Sequence, residues 1–462
     1  MTGADRPLTM EQIDALCAAR AASPRPDPPY PYAGPLARHV RDGDRRLLRL
    51  TYDGSPASVR LWNFLLTEDE RLAQARAAGR RLVGAMKDLG TVAALAYAYP
   101  GVTAFYTDGA WWIPCVMEMS EGLLGIASAH GLGEGLCPVR AMLGAFVTRR
   151  HFPIPDLLIA SVGAVCDDLS AVAQRLESLG HPILWWEMPA RRAPEPGEPA
   201  VALPGGLRAP AAQVAFVRGE LGRVRRALDG LTGHALTDAE LAAAIRAANA
   251  VRARLAALRE LVFTAPACPL PALEHQIAEM LAVHFCSDRD ETLRVYEALL
   301  EAVRARVAAG TGVLPADAVR VFWVNPVADL RAMNLLEACG GRLCGTDFLF
   351  CHALDPLPED AEPMEALARA ALADPMVGPA ADRAARIASD AVRFGAEAVV
   401  VSRIPGASHC AWEGAAIAEA VRGRLGLPVA EIEVPPLTDA LAPSIRARLE
   451  ALVETARARR TR

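Results

Sequence analysis

The chain has 462 residues, enough for two or three domains with their own cores, and 49 Lys and Arg against 54 Asp and Glu give a net charge of -5 with no long single-sign run except the ARARRTR ending. That balance argues against nucleic acid as the main partner, and ten cysteines scattered without the dense spacing of a secreted disulfide scaffold point to a reducing compartment, the cytoplasm. The N-terminus lacks a basic segment followed by an apolar one, and the most apolar stretch, Thr91 to Thr107, is broken by Pro100-Gly101 and too short to span a bilayer, so neither secretion nor a membrane is expected.

Residues 1–80 read as an arm and a helix, with the proline-rich RPDPPYPYAGP from Arg25 to Pro35 lying over the surface or on a partner. Leucine, alanine and arginine spacing predicts a helix from Glu68 to about Asp88, and Thr91 to Tyr99 is the first expected strand. In WWIPCVMEMSEGLLG, helical spacing places Glu118 and Glu121 on one face, either lining a pocket or facing water, with Cys115 close by. A glycine-rich loop, HGLGEGLCPVR, then delivers Cys137 and Arg140 to the start of a helix, where the dipole favours the thiolate that a metal needs.

Asp156 to Pro189 reads as strand, Ser-Val-Gly turn, Cys166, amphipathic helix, Gly180, strand and proline, one βαβ unit of a parallel sheet with its cysteine at the carboxyl end of a strand. Ala396 to Pro435 repeats the phrase around Cys410: Cys166 lies 23 positions before Pro189, and Cys410 lies 25 before Pro435. A cysteine alone is most simply a small buried hydrophobe; the repetition argues for two lobes of one plan, each offering a thiol where open α/β sheets bind ligands.

Between the two units, Arg191 to Gly206 is linker-like, and about a hundred helical residues follow, with a capping box at Thr237 and Glu240. Cys268 and Cys286 have no metal-like partner there, and Cys339, Cys344 and Cys351 fit packing about the strand that follows VRVFWVN. The fold class is therefore α/β: two similar Rossmann-like parallel-sheet lobes, at 81–205 and 313–440, with a helical insert at 206–312 between them and a C-terminal helix and basic tail at 441–462. No C-x2-C pair exists, so a closed zinc ribbon is not expected; three thiolates from separate strand-to-helix loops suit a 4Fe-4S cluster with one iron left without protein sulfur.

The strings LCPVR, PDLLIASVGAVCDD and TGHALTDAELAAAIRAANAVRARLAALREL, followed by the SHC segment with GLPVAEIEVP and SIRARLEAL, resemble the 2-hydroxyacyl-CoA dehydratase and benzoyl-CoA reductase family over roughly residues 80 to 455. The pattern G-x-x-L-T-x-x-x-L-x-x-A-I-x-x-x-N-x-x-R is the most specific of these, and the resemblance maps the cluster cysteines onto Cys137, Cys166 and Cys410. It implies an iron-sulfur subunit paired with a homologous subunit as a heterodimer, an acyl-CoA substrate, and an ATP-dependent iron-sulfur activator protein that feeds in one electron. It also implies loss of water through a ketyl radical, with a ring reductase or a non-catalytic electron-relay subunit as alternatives. Its usual Pro-Glu-Glu-Leu segment has only VMEMSEGLLG as an equivalent, which leaves Glu118 as the candidate catalytic carboxylate, and Cys137 is followed by Pro138 where small polar residues are commoner. No P-loop is present to drive electron transfer internally, so the arm or the insert at about 207–310 is expected to contact the homologous subunit.

Overall fold

The computed structural model describes residues 52–86, 90–109, 120–149, 152–164, 166–347, 355–407, 409–436 and 440–460, with backbone alone for 120, 121, 284 and 409–411. Two helices, α1 (Pro56–Leu66) and α2 (Glu68–Ala77), lead into β1 (Arg81–Met86), α3 (Thr91–Ala96), β2 (Val102–Tyr106), α4 (Ser120–Ala129), α5 (Ala141–Thr148), β3 (Leu157–Gly163), α6 (Asp167–Ser178) and β4 (Ile183–Met188). The four strands form one parallel sheet in the order β2-β1-β3-β4.

Two expectations fail here. The helix after Glu68 stops at Ala77, because Gly79 takes φ 78° and the N–H groups of Ala78 and Gly79 cap carbonyls of the last turn; RLVGAM then runs extended as β1. Thr91 to Ala96 is a helix, not a strand. Its alanines and leucine are buried on all sides, and an apolar run of that length has no period to separate the two structures.

Arg191 to Gly206 leads into a small antiparallel hairpin of β5 (Ala200–Ala202) and β6 (Arg208–Pro210). Four long helices follow: α7 (Ala211–Thr232), α8 (Asp238–Thr264), α9 (Ala272–His284) and α10 (Arg289–Ala308). Thr237 caps α8 as a true capping box, its Oγ1 accepting from the Glu240 N–H at 3.2 Å while Glu240 accepts from the Thr237 N–H at 2.8 Å. The insert does not stand apart from the lobes. α8 packs against α3 of the first lobe and β8 (Gly341–Asp347) of the second, and Leu241, Ile245, Leu255, Leu258 and Val262 are buried along it. Its apolar face is spent inside the chain. The N-terminal arm lies outside the described residues.

The second lobe runs β7 (Val319–Val324), α11 (Arg331–Ala338), β8, α12 (Pro363–Ala373), α13 (Ala380–Arg393), β9 (Ala398–Arg403), α14 (His409–Leu425), β10 (Val429–Glu433) and α15 (Ala442–Arg460), with strand order β10-β9-β7-β8. Read from the other edge this is second, first, third, fourth, the same order as in the first sheet, and every pairing is parallel. Each sheet therefore reverses its winding between its first and third strands, and the crevice outside the carboxyl ends of those strands is where open α/β sheets take ligands. Val319, Val321, Phe322, Trp323 and Val324 are buried, as are Ala398 to Val401, which is why these strands read as continuous apolar runs rather than alternating ones.

The most family-specific string serves the fold. Asn249 donates to the Leu357 carbonyl at 2.9 Å and accepts from the Leu357 N–H at 2.8 Å, and the buried Arg252 donates to the Asp355 carbonyl at 2.8 Å. α8 thus pins the chain that returns after β8.

Candidate functional site

Cys166 follows β3, the third strand of the first sheet, and is the N-cap of α6 with an extended backbone at φ -158° and ψ 111°. The last residue of β3 passes so close to β4 that a Cβ on Gly163 would lie 2.3 Å from the Met188 oxygen, and Gly163 has φ +107°, so only glycine fits. The half-buried Cys166 thiol stands at the positive end of a helix whose first turn carries Asp167 and Asp168.

Cys137 arrives from the connection between β2 and β3. It is buried and caps the short 3-10 turn Pro138–Arg140 that runs into α5. Its N–H donates to Asp168 Oδ1 at 3.2 Å, so the Cys137 backbone is bonded to the first turn of the helix that Cys166 caps. Arg140, 6% exposed, donates through Nη1 to the Leu136 carbonyl at 2.7 Å, while its buried Nε has no hydrogen-bond partner. Burial pulls the Arg140 guanidinium below the usual arginine range against the opposing fields of Cys137, Glu134 and Asp168.

Cys410 follows β9, the third strand of the second sheet, and sits in the first turn of α14, the position that corresponds to Cys166. Its side chain lies outside the described residues, as do Glu118 and Cys115. The loop before it is described and meets the first lobe: Gly406 has φ +81°, and a Cβ there would lie 2.8 Å from the carbonyl carbon and oxygen of Leu136, the residue before Cys137. Backbone contact thus joins the Cys410 loop to the Cys137 loop, and a hydrogen bond joins the Cys137 loop to the Cys166 helix. Among the described residues no group of three His, Cys, Asp or Glu is placed to hold a metal ion; the set of Cys137, Cys166 and Cys410 includes a side chain outside them.

The remaining described cysteines have a different character. Burial pushes the thiols of Cys268 to about 11, Cys339 to about 11 and Cys344 to about 12, and pushes Cys286 up as well, which disfavours the thiolate a metal requires.

Sequence reasoning missed the arginine that braces the second lobe at this end. Arg383 of α13, its side chain 1% exposed, donates to Asp347 at 2.9 and 2.6 Å, to Asn325 at 2.5 Å and to Glu413 at 3.0 Å. Asp347 ends β8, Asn325 follows β7 with φ 70°, and Glu413 lies one turn beyond Cys410. Asp347 and Glu413 outweigh burial and hold the guanidinium above its usual range. In a helix of alternating alanine and charge this arginine reads as solvated; only a positive-φ asparagine was unusual, and sequence does not print φ.

Two further carboxyls are shifted by burial. Burial raises Glu68 to about 7, with Arg71 opposing and Asp108 and Asp69 adding, and raises Glu274 on α9 to about 8 although its Oε1 accepts from Trp62 at 3.1 Å and from the Asp53 N–H at 2.8 Å. Glu279, between Arg259, His275 and Thr346, is instead held down at about 2 against the burial that would raise it.

Residues 95–456 match the family model described as 2-hydroxyglutaryl-CoA dehydratase, D-component. The chain belongs to that family. The match begins within α3, after β1, and takes in the other three strands of the first sheet, the helices between the lobes, the whole second sheet and the three candidate cysteines, ending within α15. No curated protein matches the chain. Membership makes it a component of a dehydratase, a lyase-type enzyme, and a D-component implies a partner component. No helix among the described residues is long and apolar enough to cross a membrane.

Proposed function

We propose that this chain is the iron-sulfur subunit of a 2-hydroxyacyl-CoA dehydratase-type enzyme and that Cys137, Cys166 and Cys410 hold one 4Fe-4S cluster. The observation that carries the reading is positional: Cys166 and Cys410 follow the third strands of two sheets with the same strand order, and the loop into Cys410 abuts the residue before Cys137. The residues suit such a group. Thiolates are soft ligands for iron-sulfur clusters, and the buried Arg140 Nε beside Cys137 lacks an acceptor that cluster sulfur would provide. A cluster held by Cys137, Cys166 and Cys410 would supply the low-potential electron that radical loss of the 2-hydroxyl from a thioester requires.

The chain's own residues prepare that site. The α6 terminus favours the Cys166 thiolate, Asp168 fixes the Cys137 backbone, and Arg383 with Glu413 and Asp347 fixes the helix of Cys410 to the neighbouring strands. The electron comes from outside, from an ATP-dependent iron-sulfur activator, and the partner component completes the enzyme in a reducing cytoplasm. Glu118 stays the candidate proton carrier for the leaving hydroxyl.

Anaerobic loading with iron and sulfide tests the ligand set. Cys137→Ser, Cys166→Ser and Cys410→Ser should each lose iron and the cluster's electron-paramagnetic signal on reduction, whereas Cys268→Ser and Cys344→Ser should retain both. Retention in any of the first three removes that cysteine from the site. Turnover of a panel of 2-hydroxyacyl-CoA thioesters with partner, activator and ATP tests the reaction, and a complex that holds the cluster yet dehydrates none of them refutes the dehydratase assignment.

A further inference from the structure

We infer that Arg140 is a positioning residue of the cysteine site, whose Nε N–H is aimed at sulfur of the group that Cys137 holds and whose charge offsets the electron that group accepts. The inference rests on the iron-sulfur reading above and adds to it a residue outside the ligand set.

Three observations support it. Arg140 is buried, and its guanidinium is tied through Nη1 to the carbonyl of Leu136, the residue before Cys137, at 2.7 Å. Among the described residues its Nε is buried without a partner, as are those of Arg175, Arg191, Arg252 and Arg342; what sets Arg140 apart is that Cys137 is among the charged groups beside it. The charged groups around it are Cys137, Glu134 and Asp168, so the cation belongs to the cysteine loops rather than to a distant ion pair. Asp168 is already bonded to the Cys137 N–H, and among the described residues no ion pair between Arg140 and a carboxylate satisfies the orphaned nitrogen.

A cluster that takes up one electron becomes more negative by one charge. A buried cation beside a ligating thiolate stabilises the reduced form, and a hydrogen bond to sulfur adds to this. Lysine would keep the charge but lack the fixed Nε, and glutamine would lose the charge.

The test is a reductive titration of wild type, Arg140→Lys and Arg140→Gln with titanium(III) citrate after anaerobic loading, followed by electron paramagnetic resonance, alongside iron content and the urea midpoint of each unloaded protein. At the wild-type midpoint the ratio of reduced to oxidised cluster should fall about tenfold in Arg140→Gln, which for a one-electron couple is about 59 mV, with Arg140→Lys between the two. Loss of iron from Arg140→Gln with an unchanged urea midpoint also supports the role. An unchanged midpoint potential at full iron content overturns it, as does iron loss accompanied by an earlier urea transition, which would make Arg140 a residue of the fold. A wild-type chain that takes up no cluster overturns the iron-sulfur reading itself, and this inference with it.

Discussion

Replacing Arg383 by methionine keeps most of the side chain's volume and removes its charge. Asp347 and Glu413 are then left facing each other across a site whose arginine was 1% exposed, their own side chains 10% and 19% exposed. Removing one partner of a buried ion pair costs about 3–5 kcal/mol, because the remaining charge stays desolvated. Glu413 is the more exposed carboxylate and can turn toward water, so most of the loss rests on Asp347, and we expect about 3 kcal/mol for Arg383→Met. Urea unfolding of the unloaded protein, followed by circular dichroism, measures it. A cycle with Glu413→Gln isolates the bond to the cysteine helix, where a coupling of about 1–2 kcal/mol is expected for groups in direct contact. Iron retention should fall in the single variant too, since the first turn of α14 loses its tie to β8. A loss under about 0.5 kcal/mol, or a cycle with no coupling, would refute the view that this network braces Cys410.

Glu274 gives a pH prediction with a definite sign. Its carboxyl titrates at about 8 when buried against 4.5 when free, so the unfolded chain releases a proton that the folded chain keeps; the stability is full below 4.5 and is lost as pH rises toward 8. Between pH 5 and 8 Glu274→Gln should escape a loss of about 4 kcal/mol that wild type suffers, read as the difference in urea unfolding free energy at the two pH values, and parallel pH profiles would exclude it. Gly406→Ala should shed iron, because its Cβ meets the Leu136 backbone at 2.8 Å, while Gly197→Ala, also left-handed at φ +82° but with nothing within 4 Å, should keep it. Equal iron content in the two would show that the approach of the Cys410 loop to Cys137 is dispensable. Thr237→Ala should cost about 1 kcal/mol in thermal or urea unfolding through loss of the α8 capping box.

The paired lobes were legible because their inner strands are largely buried apolar runs and their units are bounded by Gly and Pro. Asp156 to Pro189 and Ala396 to Pro435 carry those signals at both ends, so strand, cysteine and helix came in the expected order, although Ser161 to Gly163, read as a turn, continue β3. The first lobe's beginning was not. Arg81 to Met86 continues the helix-forming composition of Glu68 to Ala77, and the one break between them, Gly79, shows its left-handed backbone only in three dimensions. The site was half legible: Cys166 and Cys410 alone stood out as candidates by repetition; Arg383 meets its partners across 36, 58 and 30 positions, distances over which no periodicity operates. Glu118 lies outside the described residues.

The long helix α8 has a consequence for how the protein is made. Arg259 meets Glu279 on α9 only 20 positions later, but its hydrogen-bond partner Thr346 on β8 comes 87 positions later in the chain. At about 5–20 residues per second the ribosome leaves the side of α8 that meets β8, where Arg342 donates to the Val262 carbonyl, without β8 for on the order of 10 s. A nascent chain stalled between α8 and β8 would present a basic and apolar stripe to whatever folding assistants meet it first.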